Sequence, residues 1–138
     1  VLLEGRARMG MAICYEVVFA DLVAEQVREG AEILLSLTND GWYGFSSAPE
    51  QHLAQAVLRC AETRRPMVRA ALTGVSAVVD GRGRVRSRLD IGATGILVEA
   101  LRPRAGLTPR VRFGDWWAVA CALLAAALAV LGRLRFRG

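Results

Sequence analysis

Met9-Gly10-Met11-Ala12-Ile13-Cys14-Tyr15-Glu16 is a short apolar run that closes on a cysteine, an aromatic and a carboxylate, then opens onto a helical pattern. Strand, sharp turn and helix, in that order, lift a nucleophile out of the end of a sheet and expose it to substrate. A free cysteine in a strand is more often a small buried hydrophobe, and this stretch taken alone favours that plainer reading. What changes it lies downstream.

Working outward, Val17 to Glu29 carries Val18, Leu22, Val23 and Val27 near helical spacing, with Gly30 as a C-terminal stop. Glu32 to Leu37 is a second apolar run and reads as a strand. Two strands joined by a helix predict a βαβ unit with neighbouring parallel strands. Thr38 to Ala48 is a loop in which Asn39-Asp40-Gly41 is turn chemistry. Trp42, Tyr43 and Phe45 crowd the same loop, which suits packing beneath it, the lining of a pocket or contact with lipid headgroups.

Ser47-Ala48-Pro49-Glu50 fits a capping box with proline in the first helical turn. The helix that follows places Leu53, Ala56, Val57, Cys60 and Ala61 on one apolar face. Cys60 therefore reads as core, and His52, at the edge of that face, as a hydrogen-bonded structural histidine. Arg59, Arg64 and Arg65 fall on or near the solvent side, and Pro66 ends the helix. Met67 to Leu72, Ser76 to Asp80 and Arg84 to Leu89 read as strands, the last two joined by a hairpin turn at Asp80-Gly81-Arg82-Gly83. Gly95 to Leu101 reads as a further strand. Arg102 to Gly114, with Pro103, Gly106 and Pro109, marks the end of this α/β part.

Composition narrows the chemistry. All 18 basic residues are arginine, so a mechanism that needs lysine must import it. One histidine excludes a multi-histidine metal site and weakens any Cys-His dyad, and the three cysteines have no CxxC spacing, so no zinc knuckle or disulfide framework is indicated. No metal or cofactor is called for. A net charge of +5 raises the question of nucleic acid, but the arginines are scattered, with no basic helix and no interleaved aromatics to stack bases. Trp116 to Leu131 is an unbroken apolar run which, with Gly132, rises about 25 Å as a helix, slightly short of a bilayer core of about 30 Å. Trp116 and Trp117 at one end and Arg133, Arg135 and Arg137 at the other are suitable flanks. The expectation is a transmembrane helix over 113–138 with a cytoplasmic arginine tail, and residues 1–112 on the opposite side of the membrane.

Ile13-Cys14-Tyr15-Glu16, Ser36-Leu37-Thr38-Asn39-Asp40-Gly41-Trp42-Tyr43-Gly44, Gln51-His52 and Arg64-Arg65-Pro66 together resemble the nitrilase, or carbon–nitrogen hydrolase, superfamily. Gly106-Leu107-Thr108-Pro109, running through Gly114-Asp115-Trp116 into an apolar helix, is similar to the bacterial apolipoprotein N-acyltransferase branch. The resemblance implies the C-terminal part of an αββα sandwich at the bacterial inner membrane, with its domain on the periplasmic side. It also implies a Cys-Glu-Lys triad of which only Cys14 lies here. Glu16 matches a second, supporting glutamate and is not the general base. Leu72 stands where the family usually has asparagine, which leaves any polar role of the Thr73-Gly74 turn open.

The implied partners are a phospholipid acyl donor, a diacylglyceryl apolipoprotein acceptor and the membrane, with no nucleic acid. The implied chemistry is attack of the thiol on an ester, a thioester on Cys14, and aminolysis by a lipoprotein N-terminus. In it the Tyr15 backbone N–H serves as an oxyanion donor, and Asn39, Trp42, Tyr43 and Phe45 form a substrate loop. Two alternatives stay open: a membrane-anchored amidase that hydrolyses the thioester with water, and a non-catalytic nitrilase-like module.

Overall fold

The computed structural model describes residues 7–44 and 46–135; Phe45 and Arg137 lie outside them. Five strands, β1 (Met9–Ile13), β2 (Ile33–Thr38), β3 (Met67–Ala71), β4 (Ser76–Val79) and β5 (Val85–Leu89), form one sheet in that spatial order. β1, β2 and β3 run parallel, with Met9 opposite Ile33 and Leu34 opposite Met67; β4 and β5 return antiparallel. The helical crossovers are α1 (Ala20–Arg28) and α2 (Ala48–Thr63). This is the arrangement the alternation of apolar runs and helical spacing implies, because parallel neighbours need a long crossover.

Both helices pack on the same face of the sheet. Ala12, Leu34, Met67, Ala77 and Val79 from the strands meet Val23, Ala24 and Val27 of α1 and Leu53, Ala56 and Cys60 of α2 in one buried cluster. Each fully buried valine or leucine there contributes about 1.5–3 kcal/mol by transfer alone. Gly10 faces α1, and a Cβ there would press on Gln26 and Leu34. Alternation then puts Met9, Met11 and Ile13 on the opposite face, where they are half exposed, as is Leu37. The described residues thus form one helical layer on one mixed sheet; the second pair of layers implied by the resemblance is not among them.

Several expectations need correction. No helix among the described residues is long and apolar enough to cross a membrane. The C-terminal run does form a helix, α4 (Trp116–Arg135), if the short helix α3 (Pro109–Phe113) is counted before it. Its sixteen-residue apolar stretch is less than the roughly 20 residues a span requires, and seven of the sixteen are alanine. The transmembrane part of the expected fold class is therefore overturned. With it falls the inner-membrane placement with a periplasmic domain and a cytoplasmic C-terminus.

Gly95 to Leu101 is not a strand: Ile96 and Val98 are almost fully exposed. Its apolar content suits a ladder, but no sheet edge among the described residues accepts it. The chain instead passes back toward β2, where Arg104 N–H donates to the Glu32 carbonyl at 3.2 Å. The stretch between Arg102 and Gly114 is not a simple boundary either. Thr108 caps α3 by accepting from Val111 N–H, donates to the Glu62 carbonyl at 2.7 Å, and brings Val111 into the core.

The capping box at Ser47 does not form, since the Ser47 backbone is already helical and its side chain caps nothing; Ser46 Oγ accepts from Ala48 N–H instead. Arg59 and Arg65 are buried rather than solvent-facing. Helix α2 ends at Thr63 and Arg64 turns left-handed at φ +57°, which swings Arg65 inward. There it donates to the carbonyls of Ala31, Thr63 and Gly106.

The β4–β5 hairpin forms where expected and is closed by Asp80, whose Oδ1 accepts from Arg82 N–H at 2.8 Å and Arg84 N–H at 3.0 Å. Partial desolvation raises the Asp80 pKa, but the Arg84 and Arg82 N–H groups and nearby arginines outweigh it, and the net value lies below the ordinary 3.8. A depressed carboxylate adds stability that is present above about pH 3.8 and is lost as pH falls through the folded-state value. Asp80→Ala should accordingly cost about 1 kcal/mol near neutrality. In urea unfolding, its deficit against the parent should shrink on going from pH 6 to pH 3.

Candidate active site

β1 ends at Ile13, and Cys14 follows with φ +52°, in the left-handed region that a residue with a Cβ rarely occupies. Such a conformation costs on the order of 1–3 kcal/mol and persists only where its surroundings enforce it. Residues Cys14–Val18 then form a 3-10 turn that leads into α1. Glu16 reaches back so that its Oε2 accepts from Ile13 N–H at 2.7 Å. It clamps the entry to the turn from the N-terminal side. In a 3-10 turn the first N–H groups have no intra-turn acceptor, and Cys14 and Tyr15 are the first two residues of this one. Cys14 is partly exposed, whereas Cys60 is fully buried. Burial, with Asp80 adding to it, pushes the Cys60 thiol up to about 12, which leaves it inert.

Beneath Cys14 lies a buried polar cluster contributed by β2, β3, the loop after β2, and α2. His52 Nδ1 is 2.8 Å from Asp40 Oδ1, and His52 Nε2 is 3.2 Å from the Cys14 carbonyl oxygen. Arg69 donates to Asp40 Oδ2 at 2.9 Å, to Ser36 Oγ at 3.1 Å and to the Val75 carbonyl at 3.2 Å. Thr38 Oγ1 donates to Asp40 Oδ1 at 2.9 Å. Asp40, His52 and Arg69 are each less than 5 % exposed. Desolvation lowers the Arg69 pKa, and the adjoining Asp40 carboxylate opposes that shift. Gly74 is required beside this pair, because a Cβ there would overlap the Asp40 carboxylate.

The loop residues fall into two groups. Asn39 Oδ1 accepts from Gly41 N–H at 3.0 Å and Thr73 Oγ1 at 2.6 Å, tying this loop to the Thr73-Gly74 turn. Asn39 is a loop organiser, and Leu72, 80 % exposed, takes no part in these bonds. Trp42 is exposed, whereas Tyr43 turns inward, edge-on to His52 with ring centroids 6.2 Å apart. The Tyr15 ring lies at the same centroid distance from the imidazole, tilted by 43°. Desolvation, then the nearby Asp40, raises the Tyr43 pKa, so the phenol stays protonated.

Tyr15, Val18, Tyr43, Ala48, Gln51, His52 and Gln55 line a cleft of about 230 Å³ beside Cys14. That is below the roughly 300 Å³ at which small-molecule sites begin. Among the described residues there is no group of three or more metal-ligating side chains. Cys14, Tyr15, Glu16 and Tyr43 are brought together. Trp42 stands off, and Asn39 acts on the loop itself.

Sequence reasoning missed Asp40 and Arg69, and assigned His52 no connection to the cysteine. One signal was available: Arg69 interrupts an otherwise apolar strand, and an arginine buried there needs acceptors for its guanidinium, for which a nearby carboxylate such as Asp40 is suited.

The carbon–nitrogen hydrolase family model matches residues 2–110. The chain is 39 % identical over 127 residues to an apolipoprotein N-acyltransferase of Geobacter metallireducens, covering 92 % of this chain and 24 % of that protein. It is 44 % identical over 126 residues to the Rhodopseudomonas palustris apolipoprotein N-acyltransferase, covering 91 % and 23 %. The fold also matches a carbon–nitrogen hydrolase from Helicobacter pylori G27, with a TM-score of 0.56 at 14 % identity over 62 % of this chain and 37 % of that one. An amidase from Nesterenkonia sp. AN1, seen with acrylamide added at its active-site cysteine, matches at a TM-score of 0.51 and 24 % identity over 65 % and 37 %.

A chain with a strand-end cysteine on a mixed α/β sheet, matched by the family model over most of its length, belongs to the carbon–nitrogen hydrolase (nitrilase) family of cysteine-type enzymes. Within that family it is homologous to the apolipoprotein N-acyltransferases, and it spans about a quarter of the length of the relatives it matches.

Proposed function

We propose that residues 1–138 carry the nucleophile of an N-acyltransferase that moves a fatty acyl chain from a phospholipid to the N-terminal amine of a diacylglyceryl-cysteine lipoprotein. The observation that carries the reading is Cys14, held at φ +52° at the end of β1, beside an aromatic cleft, in a chain whose relatives named above are acyltransferases. In the first half-reaction the Cys14 thiolate attacks the ester carbonyl. The C–O bond breaks, the lysophospholipid alkoxide takes up the proton the thiol gave to a base, and a thioester remains on Sγ. In the second, the α-amine attacks the thioester, the C–S bond breaks, and the amine's proton returns to sulfur. Splitting the transfer in this way suits sulfur, because a thioester is reactive enough for aminolysis.

The roles of the residues follow. Cys14 is the nucleophile, and Tyr15 N–H and a lysine from outside these residues hold the oxyanion. Glu16, already engaged with Ile13 N–H, positions the turn. A glutamate outside these residues is the base. Tyr15 and Tyr43, with Asn39 bracing the loop and Trp42 at its exposed edge, border the acyl path; the resemblance adds Phe45 to that loop.

The test is product identity. The full-length protein carrying these residues, given phospholipid and a diacylglyceryl-cysteine peptide, should yield the N-acylated peptide and lysophospholipid in equal amounts. Release of free fatty acid with no amide formed, or hydrolysis of a simple amide in its place, would assign it to the hydrolytic side of the family.

A further inference from the structure

The left-handed backbone at Cys14 needs something to enforce it. On its N-terminal side Ile13 is held by the β1–β2 ladder and by the Glu16 clamp. On its C-terminal side the carbonyl oxygen of Cys14 meets His52 Nε2 at 3.2 Å, from a helix 38 residues further along the chain. His52 has little freedom of its own. Its Nδ1 faces Asp40 Oδ1 at 2.8 Å, Asp40 is fixed by Arg69 and Thr38, and the rings of Tyr15 and Tyr43 each lie with their centroids 6.2 Å from that of the imidazole. Nδ1 also lies 3.1 Å from Arg69 Nη2, while Nε2 faces the Cys14 carbonyl oxygen, which can only accept, so that contact is a bond donated by an Nε2–H.

We infer that His52 is a positioning residue for the nucleophile: braced by Asp40 and Arg69, it pins the Cys14 carbonyl and so holds Cys14 and the N–H of Tyr15 in the orientation the reaction uses. The inference rests on the acyl-transfer reading only for which reaction is slowed. The pinning itself is a property of the turn.

Two substitutions separate positioning from plain stability. His52→Asn keeps a donor where Nδ1 was and loses the reach to Cys14. His52→Gln extends a donor toward the Nε2 position and gives up the close contact with Asp40. If His52 serves only the buried cluster, Asn should be the milder change in both stability and rate. If it positions Cys14, Asn should be the more stable but the slower of the two. For His52→Asn kcat should fall by about tenfold to a hundredfold with KM nearly unchanged, as small misplacements of reacting groups do, and Gln should recover a substantial part of that loss.

The same order should appear, without any acyl substrate, in the rate at which iodoacetamide alkylates Cys14 in the full-length protein, read by peptide mapping. Slower alkylation in Asn than in Gln supports the inference even if the wild-type protein forms no amide product, an outcome that would overturn the functional reading alone. Acyl transfer intact in wild type, with Asn equal to or faster than Gln in both assays, overturns the inference. Should Gln fail to fold, a His52→Asn protein of near-parental stability and full alkylation rate overturns it equally.

Discussion

Replacing Cys14 with serine should lower acyl transfer at least about a thousandfold, because a nucleophile that acts as a unit with its base leaves only residual catalysis when removed. The geometry makes the effect specific to this thiol. Cys60 is closed inside the α2–sheet core with its pKa pushed up to about 12, and Cys121 lies on α4, away from the Tyr15–His52 cleft. Cys60→Ala should therefore keep the rate. Its cost should fall on stability, at or below the roughly 2 kcal/mol where larger core truncations begin, since only a small cavity is left. Serine at position 14 preserves the shape of the turn, so the loss should come with an unchanged urea midpoint. A matching loss of stability in Cys14→Ser would instead mark Cys14 as a packing residue.

The second large effect concerns the ion pair beneath that turn. Asp40 and Arg69 have fully buried side chains in contact at 2.9 Å, and removing one member strands the other's charge in a medium that solvates it poorly. Asp40→Ala is expected to cost about 3–5 kcal/mol, a large fraction of what a domain of this size has to lose. Arg69→Met in the Asp40→Ala background should restore part of that, because the stranded guanidinium is then gone. The double variant should be clearly more stable than the sum of the single changes implies. Strict additivity in urea unfolding would show that the two groups do not depend on each other.

The course of the chain was largely legible from its periodicity. Apolar runs ending near Ile13 and Leu37 on either side of a helical pattern gave parallel strands, and Asp80-Gly81-Arg82-Gly83 gave the hairpin. The strand end and turn at Cys14 were legible in one local stretch, but that stretch alone favours a buried cysteine, and only the downstream motifs singled Cys14 out as a candidate nucleophile. The cluster that supports it was not legible. Asp40 looked like turn chemistry and His52 like the edge of a helix face. Their meeting spans 12 residues of sequence, and the meeting with Arg69 spans 29; no local pattern encodes a contact of that kind.

Where local signals failed, tertiary context had overruled them. The carbonyls of Ala31, Thr63 and Gly106 drew Arg65 inward. Gly95 to Leu101 had strand composition and no edge to join. The run from Trp116 had the flanks of a membrane span, but no helix among the described residues is long and apolar enough to cross one.

The central claim is that Cys14 carries the acyl group, and trapping the intermediate tests it most directly. The full-length protein supplied with phospholipid and no amine acceptor has no nucleophile for its second half-reaction, so the acyl-enzyme should accumulate. Mass spectrometry of the digest should find a fatty acyl group on the peptide containing Cys14, removed by neutral hydroxylamine as a thioester is, and absent from Cys14→Ser. An adduct on the Cys60 or Cys121 peptide, or an unmodified Cys14 in a preparation that still transfers acyl chains, would contradict the account.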